Sequence, residues 1–385
     1  MGKKKPLAEK ESASPLLYVP SQVTNVRHTK RTPAFCLQCA LCIVAVFVGV
    51  LLALFVYQYY AVQRDAIRFP ARGNRFLVEG RNMHLWCIGA QPNPSATFLF
   101  ESGFAFSSLA WVPLFEQIEK DSQLTQRYRF CAYDRQGYGW SDAPTTKRNV
   151  TIINEELYSL LKVSVISPPY VLVGWSFGGN LIHLFAHDRP EDVSGMIVVD
   201  SELSYDDLGS ALTTGLISFR IASLLSPFGF LRIGGEFDAL PMESGAPSSV
   251  LPSHLREETF AQMATYKFPR TCFHELSHWD ELGNAMAALQ SLTEDELQRT
   301  RHIAVTVLTA TKPEPHREKC NDQPKPKLCE EGTAAIRSSE AQFYLQRYNQ
   351  ERIHSCFVDS DHYIPSHCPS SILVAIRDLP LSPSI

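Results

Sequence analysis

Hydrophobic and polar positions follow two alternating patterns along residues 73 to 380. Short apolar runs, rich in β-branched and aromatic residues, are separated by longer segments with helical spacing. Strands that alternate with amphipathic helices are typical of a mostly parallel sheet with crossover helices. The pattern therefore predicts an α/β fold with eight strands. The predicted strands are FLVEG near residue 76, MHLWCIG near 83, TFLFES near 97, RFCAYD near 129, YVLVGW near 170, MIVVD near 196, HIAVTVLTA from His302 and IHSCFVD from Ile353.

This alternation is interrupted between residues 201 and 300. The interrupting stretch has helix-like patterns separated by turns rich in Pro and Gly, such as PMESGAPSSVLP. Ligands of open α/β folds bind at the carboxyl edge of the sheet. We therefore expect residues 201–300 to form a helical cap over that edge, and residues 73–200 and 301–385 to form the α/β core.

The N-terminal region has a different composition. Residues 1–33 hold seven Lys or Arg and two acidic residues, which is typical of a solvated, disordered tail. The uncharged run from Cys39 to Tyr57 is long enough to cross a hydrocarbon core of about 30 Å. A cleaved signal peptide would carry a shorter apolar run of about 7 to 15 residues. The sequence predicts a basic tail over residues 1–33 and one transmembrane helix over residues 34–60.

The orientation of this helix decides how the cysteines are interpreted. The longer basic tail favours a cytosolic N-terminus and a lumenal or extracellular domain, where disulfides form. Cys320 and Cys329 bracket a loop that a disulfide would close. Cys87 and Cys131 lie in apolar runs and are interpreted as small buried hydrophobic residues. Asn149 begins a glycosylation sequon, which favours the same side of the membrane.

Charge and motif content narrow the classes of function. The net charge is −4, and the Lys and Arg residues of the domain are scattered, so that no basic field for nucleic acid is expected. A Gly-rich phosphate loop followed by Lys and Ser or Thr is absent from the sequence. We therefore expect no nucleic acid as a partner. The predicted transmembrane helix implies a membrane, and a small molecule or lipid is the other expected partner.

The strongest chemical motif is Gly174-Trp175-Ser176-Phe177-Gly178, which lies between an apolar strand and a helix. In this context G-x-S-x-G indicates a nucleophile elbow, in which the serine stands on a sharp and strained turn. Ser176 is the candidate nucleophile. The Phe177 amide, at the helix start, is a candidate oxyanion donor. An ordinary Gly-rich turn between a strand and a helix is the alternative.

Together these segments resemble the α/β-hydrolase family over roughly residues 73–380. MHLWCIG and TFLFESGFAFSSLAW are similar to the family's second and third strands and oxyanion loop. Glu101-Ser102-Gly103 replaces the usual His-Gly, as in a membrane-linked branch of the family. The resemblance implies that the Phe104 amide is the second oxyanion donor. CAYDRQGYGWSD is similar to the segment after the fourth strand, where Asp134 and Arg135 are expected to hold the loop.

A serine hydroxyl needs a base, and the family places its catalytic histidine after the last strand. His362 stands there in DHYIP, which resembles the family's G-H-F-I-P, and His367 is the alternative. Asp361 stands at the position where the family motif usually has Gly. His183 and His187 lie on the helix after the serine and are interpreted as helix-face residues.

The acid that orients the histidine has three candidates. Many family members take it from the loop after the strand that follows the cap, where Glu314 and Asp322 are the candidates. Asp200, at the end of MIVVD, occupies an alternative acid position of the fold, or else is a hinge residue of the cap. Because a triad is defined by geometry and not by chain position, we favour Asp200.

A competing motif, His274-Glu275-Leu276-Ser277-His278, spells the H-E-x-x-H signature of helical zinc proteases. A zinc site needs a third ligand, for which Glu294 and Glu296 downstream are the candidates, without a recognisable scaffold around them. A surface helix in the cap is the favoured interpretation. Zinc-dependent hydrolysis through His274, Glu275 and His278 is a minor alternative.

The resemblance implies a membrane-anchored serine hydrolase that cleaves an ester without a cofactor or metal. Ser176 in the elbow disfavours the dehalogenases and epoxide hydrolases that use an aspartate there. The apolar residues around the elbow favour a lipid or another hydrophobic acyl ester as substrate. The alternative is a non-catalytic membrane protein that uses the same fold as a binding module.

Overall fold

The structure is a computed structural model that describes residues 33–201, 209–236, 250–311, 330–331 and 338–381. Each apolar run predicted as a strand forms one. The strands are β1 (Asn74–Val78), β2 (Arg81–Gly89), β3 (Thr97–Glu101), β4 (Arg129–Tyr133), β5 (Tyr170–Trp175), β6 (Val193–Val199), β7 (Ala304–Ala310), β8 (Glu330–Glu331) and β9 (Ile353–Val358).

The strands form one sheet in the order β1-β2-β4-β3-β5-β6-β7-β9-β8. The six strands from β4 to β9 in this order pair in parallel, whereas β1, β2 and β8 pair antiparallel with their neighbours. The predicted fold, with eight strands in a mostly parallel sheet, is confirmed. In the described residues the two-residue strand β8 is added at one edge, and it is too short to leave an apolar run in the sequence.

Helices connect the strands and cover both faces of the sheet. They are α1 (Pro33–Arg68), α2 (Val112–Ile118), α3 (Ser122–Arg127), α4 (Val150–Val163), α5 (Phe177–Asp188), α6 (Gly209–Leu225), α7 (Phe230–Glu236), α8 (Arg256–Met263), α9 (Lys267–Leu276), α10 (Trp279–Gln290), α11 (Glu294–Thr300), α12 (Ser338–Arg347), α13 (Ile364–His367) and α14 (Pro369–Asp378).

Side chains of the central strands alternate between two hydrophobic layers. Leu99 and Leu172 join the layer with α4 and α5, whereas Phe98, Phe100 and Val173 join the layer with α2 and α14. Because both faces are covered, every residue of β3, β4 and β5 is buried. This double burial explains why the strands are continuous apolar runs in the sequence.

Helix α1 is an apolar helix that is longer than the predicted residues 34–60. Its stretch Leu37–Arg68 has a mean hydropathy of 3.1 in its most apolar window, of which no part is buried, and it is a candidate membrane span. The helix continues beyond residue 60 to Arg68 because residues 61–69 contain neither Gly nor Pro. By its contacts the chain divides into residues 1–50 and 51–385. The predicted basic tail lies outside the described residues, apart from Pro33.

The described residues between β6 and β7 are mainly helical and comprise α6 to α11. They correspond to the predicted cap. The N-cap residue Asn149 of the sequon accepts a hydrogen bond from the Ile152 amide at 3.0 Å, so this asparagine already has a structural role at the start of α4.

The interpretation of Cys87 and Cys131 as isolated buried residues is wrong, because the two form a disulfide. The antiparallel register of β2 and β4 places them directly opposite each other, with Cα atoms 4.1 Å apart. Since β3 lies between these strands in the chain, the pairing has no local pattern. Cys356 and Cys368 are also disulfide-bonded. Cys320 and Cys329 lie outside the described residues.

Candidate active site

Ser176 stands at the sharp turn between β5 and α5. Its backbone has φ 54° and ψ −126°, a conformation that residues with a side chain rarely adopt. The Ser176 amide donates a hydrogen bond to the Val199 carbonyl of the next strand at 3.0 Å, and α5 begins at the following residue, Phe177. The turn therefore has the strained geometry of a nucleophile elbow.

The glycines of the elbow are required by close packing of strand and helix. A Cβ atom on Gly174 would lie 2.5 Å from the Gly178 carbonyl oxygen. A Cβ atom on Gly178 would lie 2.4 Å from the Glu101 carbonyl oxygen of β3. Any side chain at either position would push α5 away from the sheet, so the glycine spacing reflects sterics at this turn.

The structure brings Asp200 and His362 together from two separate strand ends. Asp200 follows β6 with φ 42°, and its Oδ2 lies 2.7 Å from Nδ1 of His362. Its Oδ1 accepts a hydrogen bond from the Ala310 amide at 3.0 Å, and its own amide donates to the Leu308 carbonyl at 2.7 Å. The carboxylate is thus buried and fixed from two sides. Of the other candidate acids, Glu314 and Asp322 lie outside the described residues.

His362 is also held against the elbow. Nε1 of Trp175, the residue before Ser176, donates a hydrogen bond to the His362 carbonyl at 2.8 Å. The indole and imidazole ring centroids are 5.5 Å apart. The imidazole is partly exposed, with 26% of its side-chain surface accessible, whereas the Asp200 side chain has only 4%. The ring therefore faces the cap side of the sheet while its acid partner is sealed beneath it.

The alternative histidine, His367, has a different environment. Its Nδ1 lies 2.8 Å from Oδ1 of Asp361, and its Nε2 lies 3.1 Å from the Val250 carbonyl oxygen. Both ring nitrogens face acceptors, which leaves neither as a base for a serine. Asp361 also accepts from the Tyr363 amide at 3.1 Å. The aspartate that replaces the usual glycine is therefore a structural partner of His367.

The loop after β3 lies against the elbow. A Cβ atom on Gly103 would be 3.3 Å from Cβ of Ser176, so the backbone that leads into Phe104 passes beside the serine. Phe104 and Phe177, the two residues predicted to supply oxyanion amides, therefore flank Ser176 from different segments. Residue Ala105 has φ 64°, which adds a second strained position next to the site.

A buried arginine holds this loop in position. Arg135 donates from Nη1 to the Ser102 carbonyl at 2.7 Å and from Nη2 to the Gly103 carbonyl at 3.0 Å. The same guanidinium pairs with Glu101 at 2.6 Å and with Glu275 of the cap at 3.3 Å. All of these side chains are buried. Arg135 is thus the common partner of the oxyanion loop and the cap.

The charges in this cluster stabilise one another. Burial alone would lower the pKa of Arg135, but Glu275 and Glu101 raise it well above its usual value. Burial raises the pKa of Glu101, and the arginine offsets part of that effect. The Tyr138 hydroxyl donates to Glu275 at 2.7 Å and completes the link to the cap.

Asp134, next to Arg135, has no contact with the candidate nucleophile. Its carboxylate accepts hydrogen bonds from the Ser108 amide at 2.7 Å and the Trp140 amide at 2.9 Å, and it pairs with His84 at 2.9 Å. Burial alone would raise the pKa of Asp134, but His84 and these amides lower it to about 2. Asp134 therefore holds the loop after β4, in line with the expectation for it.

The geometry does not favour the H-E-x-x-H motif as a zinc site. Helix α9 ends at Leu276, so His274 and His278 do not share one continuous helix. Glu275 is buried in the pair with Arg135. In the part of the chain that the structure describes, no group of three His, Cys, Asp or Glu side chains is placed to hold a metal ion. The interpretation of the motif as a surface helix is wrong for Glu275, because this side chain is buried.

His183 lies on helix α5, as expected, and its side chain is buried in the core. Its Nδ1 lies 2.9 Å from the Tyr348 hydroxyl and its Nε2 lies 3.3 Å from the Tyr344 hydroxyl. Burial, together with the charge of Arg347, lowers the pKa of His183 to about 3. This histidine is therefore neutral and serves packing behind α5.

Aromatic rings from the cap surround the elbow. Trp279 of α10 stacks on Phe177 with ring centroids 5.2 Å apart, and meets Phe104 edge-on at 5.9 Å. Phe219 of α6 meets the same Phe104 ring at 5.8 Å. The surroundings of Ser176 are therefore apolar on the cap side.

Comparisons with known proteins agree with this geometry. A family model described as alpha/beta hydrolase fold matches residues 96–218, which include the elbow. An alpha/beta hydrolase fold protein from Burkholderia ambifaria superposes with a TM-score of 0.53 at 17% identity, over 79% of this chain and 97% of that one. The chain has the α/β-hydrolase fold. An epoxide hydrolase, CorEH, superposes with a TM-score of 0.54 at 14% identity, over 80% of this chain and 97% of that one.

Similarity in sequence covers shorter segments. The uncharacterized protein YqjL of Bacillus subtilis is 35% identical over 107 residues, 28% of this chain and 40% of that protein. A second protein of Bacillus subtilis, the uncharacterized protein YbdG, is 24% identical over 207 residues, 54% of this chain and 60% of that protein. An uncharacterized vacuolar membrane protein of Saccharomyces cerevisiae is 34% identical over 134 residues, 31% of this chain and 20% of that protein. The chain thus spans less than two thirds of each of these relatives.

Proposed function

We propose that this chain is a membrane-anchored serine hydrolase that cleaves a hydrophobic carboxylic ester through an acyl-enzyme on Ser176. The contact of 2.7 Å between Oδ2 of Asp200 and Nδ1 of His362, beside the strained Ser176, carries this proposal. A buried carboxylate in this position fixes the imidazole orientation and tautomer, and stabilises the imidazolium that forms during acyl transfer.

In the proposed reaction, the Ser176 hydroxyl attacks the ester carbonyl while His362 takes its proton at Nε2. The amides of Phe104 and Phe177 donate hydrogen bonds to the oxyanion of the tetrahedral intermediate. Collapse of the intermediate expels the alcohol, which receives the proton from His362. Water then attacks the acyl-enzyme with His362 again as base, and the acid leaves while the proton returns to Ser176.

The identity of the elbow residue favours acyl transfer over epoxide opening. Although a structural neighbour is an epoxide hydrolase, that chemistry requires a carboxylate nucleophile in the elbow, where this chain has Ser176. The aromatic rings of Phe104, Phe177, Phe219 and Trp279 support an acyl chain or another apolar group as the part of the substrate that faces the cap.

A membrane location is part of the proposal. The apolar helix α1 supports a single-pass anchor, and the yeast relative is described as a vacuolar membrane protein. The disulfide between Cys87 and Cys131 supports a domain on the lumenal or extracellular side, where such bonds persist. Protease treatment of sealed membrane vesicles tests this: the domain is expected to be protected in lumen-inside vesicles and to be cut only after the membrane is opened with detergent.

A fluorophosphonate probe tests the chemistry, because it reacts only with an activated serine. Full-length protein in detergent is expected to be labelled at Ser176, and Ser176→Ala is expected to remove the label. Ser194→Ala, on β6, is the matched control and should keep full labelling. A well-folded wild type that takes up no probe would overturn the hydrolase proposal in favour of a non-catalytic binding module.

A further inference from the structure

Helix α6 of the cap carries apolar side chains on its outer face. Ile217, Ile221 and Leu224 are 58%, 52% and 59% exposed, and their spacing places them on one side of the helix. None of the residues of α6 is buried, and Arg220 is the one charged residue in its sequence GSALTTGLISFRIASLL. Exposed apolar stripes of this kind are uncommon on a soluble surface.

The inner side of α6 is packed on the domain. A Cβ atom on Gly215 would be 3.1 Å from Leu276 of α9, and Phe219 meets Phe104 beside the elbow. Arg220 lies 5.3 Å from the ring centre of Phe273. Although its hydropathy of 1.3 also marks α6 as a candidate span, these contacts keep it as part of the cap. One side of α6 therefore belongs to the enzyme and the other side is uncovered.

The same part of the cap is attached to the end of the apolar stretch of α1. Leu51–Tyr57 is the last apolar stretch of α1, and Gln58 directly after it is buried and donates to the Ala264 carbonyl at 2.6 Å. A Cβ atom on Gly229, between α6 and α7, would lie 3.3 Å from the Tyr57 ring. The turn that follows α6, four residues after its last residue Leu225, is therefore within contact distance of the point where the apolar stretch of α1 ends.

The closeness of α6 to the end of the apolar stretch of α1 indicates what covers the outer face of α6. Tyr57, Tyr59 and Tyr60 form the aromatic group that is typical of the boundary between hydrocarbon and headgroups. A bilayer that holds α1 ends beside these tyrosines, and hence beside Leu224 and Leu225 at the end of α6. The occupant must be apolar and must lie next to a membrane boundary, which the bilayer itself satisfies.

We propose that the outer face of α6 lies in the outer part of the lipid bilayer that α1 crosses, so that the cap rests on the membrane. The helix lies along the interface as an amphipathic element, with Ile217, Ile221 and Leu224 among the acyl chains.

The consequence for the enzyme rests on the proposed function. Phe219 and Ile217 are two residues apart on α6, yet one contacts Phe104 beside Ser176 and the other lies in lipid. One helix thickness, about 10 Å, therefore separates the acyl chains from the elbow. The substrate class that follows is an acyl ester that enters from the bilayer and not from the aqueous phase.

Photo-crosslinking tests the membrane contact without reference to activity. Full-length protein is reconstituted in phosphatidylcholine vesicles that contain phosphatidylcholine with a diazirine on its acyl chain, and adducts are mapped by mass spectrometry. Adducts are expected on α1 and on peptides from 209–230. Adducts confined to α1 would overturn the proposal and indicate that protein, for example a second copy of the chain, covers α6.

A triple variant, Ile217→Ser, Ile221→Ser and Leu224→Ser, sharpens the result. We expect it to lose α6 adducts at least about fivefold, since each substitution removes a side chain that gains from leaving water. The matched control changes three exposed apolar residues on other elements, Val163→Ser, Val165→Ser and Leu345→Ser, and should keep the wild-type pattern. A triple variant with unchanged adducts would also overturn the proposal.

Rates of ester hydrolysis separate the proposed membrane contact of α6 from the proposed serine hydrolase activity. The triple variant should cleave a water-soluble short-chain ester at the wild-type rate, and should cleave a long-chain ester embedded in the vesicles about tenfold more slowly, because its cap no longer rests on the bilayer. Equal rates on both esters overturn the route from the bilayer. If wild type is labelled by no fluorophosphonate, the proposed function fails, while the adduct map still decides the membrane contact.

Discussion

Two histidines that follow the last strand, His362 and His367, each contact an aspartate, and the two pairs differ in what surrounds the histidine. In the first pair, Asp200 meets His362 at 2.7 Å; in the second, Asp361 meets His367 at 2.8 Å. The carboxylate contact is nearly the same in both. Contact between an acid and a histidine is therefore not sufficient to mark a catalytic pair.

The surroundings of the two imidazoles separate them. His362 lies against Trp175 at the elbow, and its acid Asp200 is held by backbone groups of β7. His367 has its second nitrogen on the Val250 carbonyl, a backbone group of the cap segment. We infer that the first pair serves proton transfer and the second pair fastens the loop that carries it.

Replacement of the two histidines gives the largest contrast. His362→Ala is expected to lower kcat for a short-chain ester by about 10^5- to 10^6-fold, because the serine loses its base. His367→Ala is expected to keep activity within about tenfold and to lower the unfolding temperature, since it removes a structural pair. Steady-state kinetics and thermal unfolding check both. Equal losses of activity in the two variants would contradict the distinction.

Replacement of the two aspartates should give the same contrast in activity as replacement of the two histidines, with a smaller loss of kcat. Asp200→Asn is expected to lower kcat by about 10^4-fold, because the amide favours the wrong tautomer of His362. Asp361→Asn should reduce the free energy of unfolding by about 1 to 3 kcal/mol and leave most of the activity. Near-normal turnover in Asp200→Asn would show that the acid is elsewhere, with Asp322 and Glu314 as the candidates.

Removing the contact between Arg135 and Glu275 of the cap is expected to lower both stability and kcat, with a smaller loss of kcat than in the variants of His362 and Asp200. Glu275→Gln leaves a buried guanidinium short of one partner and should cost about 3 to 5 kcal/mol of stability. It should also lower kcat, since the same guanidinium holds the Ser102 and Gly103 carbonyls of the oxyanion loop.

A second buried ion pair supplies the control for that variant. Glu156 of α4 pairs with Arg148 at 2.6 Å and makes no ion pair with Arg135. Glu156→Gln should cost a similar stability and leave kcat unchanged at temperatures where both variants are folded. A kcat equal to wild type in Glu275→Gln would confine its role to packing of the cap.

The smallest expected effect concerns pH and a histidine outside both pairs. Folded His183 stays neutral down to a pKa of about 3, whereas the unfolded chain takes up a proton near 6.5. Between these values the unfolded state binds more protons, so the stability contributed by neutral His183 is lost as pH falls, by up to about 1.4 kcal/mol per pH unit.

Denaturant unfolding at a series of pH values measures this loss. His183→Gln should flatten the decline below pH 6.5, because glutamine does not titrate. His254→Gln, at an exposed position, should leave the decline unchanged. An equal slope in wild type and His183→Gln would show that other groups cause the acid sensitivity.

Features encoded in short segments were predicted from the sequence. The strands follow from apolar runs, and the elbow follows from Gly174 and Gly178, whose spacing the packing of β5 and α5 requires. The choice of Asp200 as the acid came from resemblance, and it agrees with the position of that residue beside His362.

Features that depend on distant contacts were not predicted. Cys87 and Cys131 meet because of the strand order, and Glu275 reaches Arg135 across 140 residues of chain. The pairing of Asp361 with His367 spans only six residues, but it depends on the turn that brings α13 back towards β9. Periodicity reports which face of an element is buried and does not report which partner it meets.

The attachment of α1 has a consequence for any soluble form of this protein. Asp65 pairs with Arg232 of the cap at 2.6 Å, and Arg72 makes two hydrogen bonds to Glu258. A protease cut between Gln58 and Asp65 would free the domain and keep the pair of Asp65 with Arg232. It would remove Gln58, which accepts a hydrogen bond from Arg232 at 3.3 Å and donates to the Ala264 carbonyl at 2.6 Å. A cut that keeps all of these contacts therefore has to lie before Gln58, so the end of α1 from Gln58 onward is part of the cap's support.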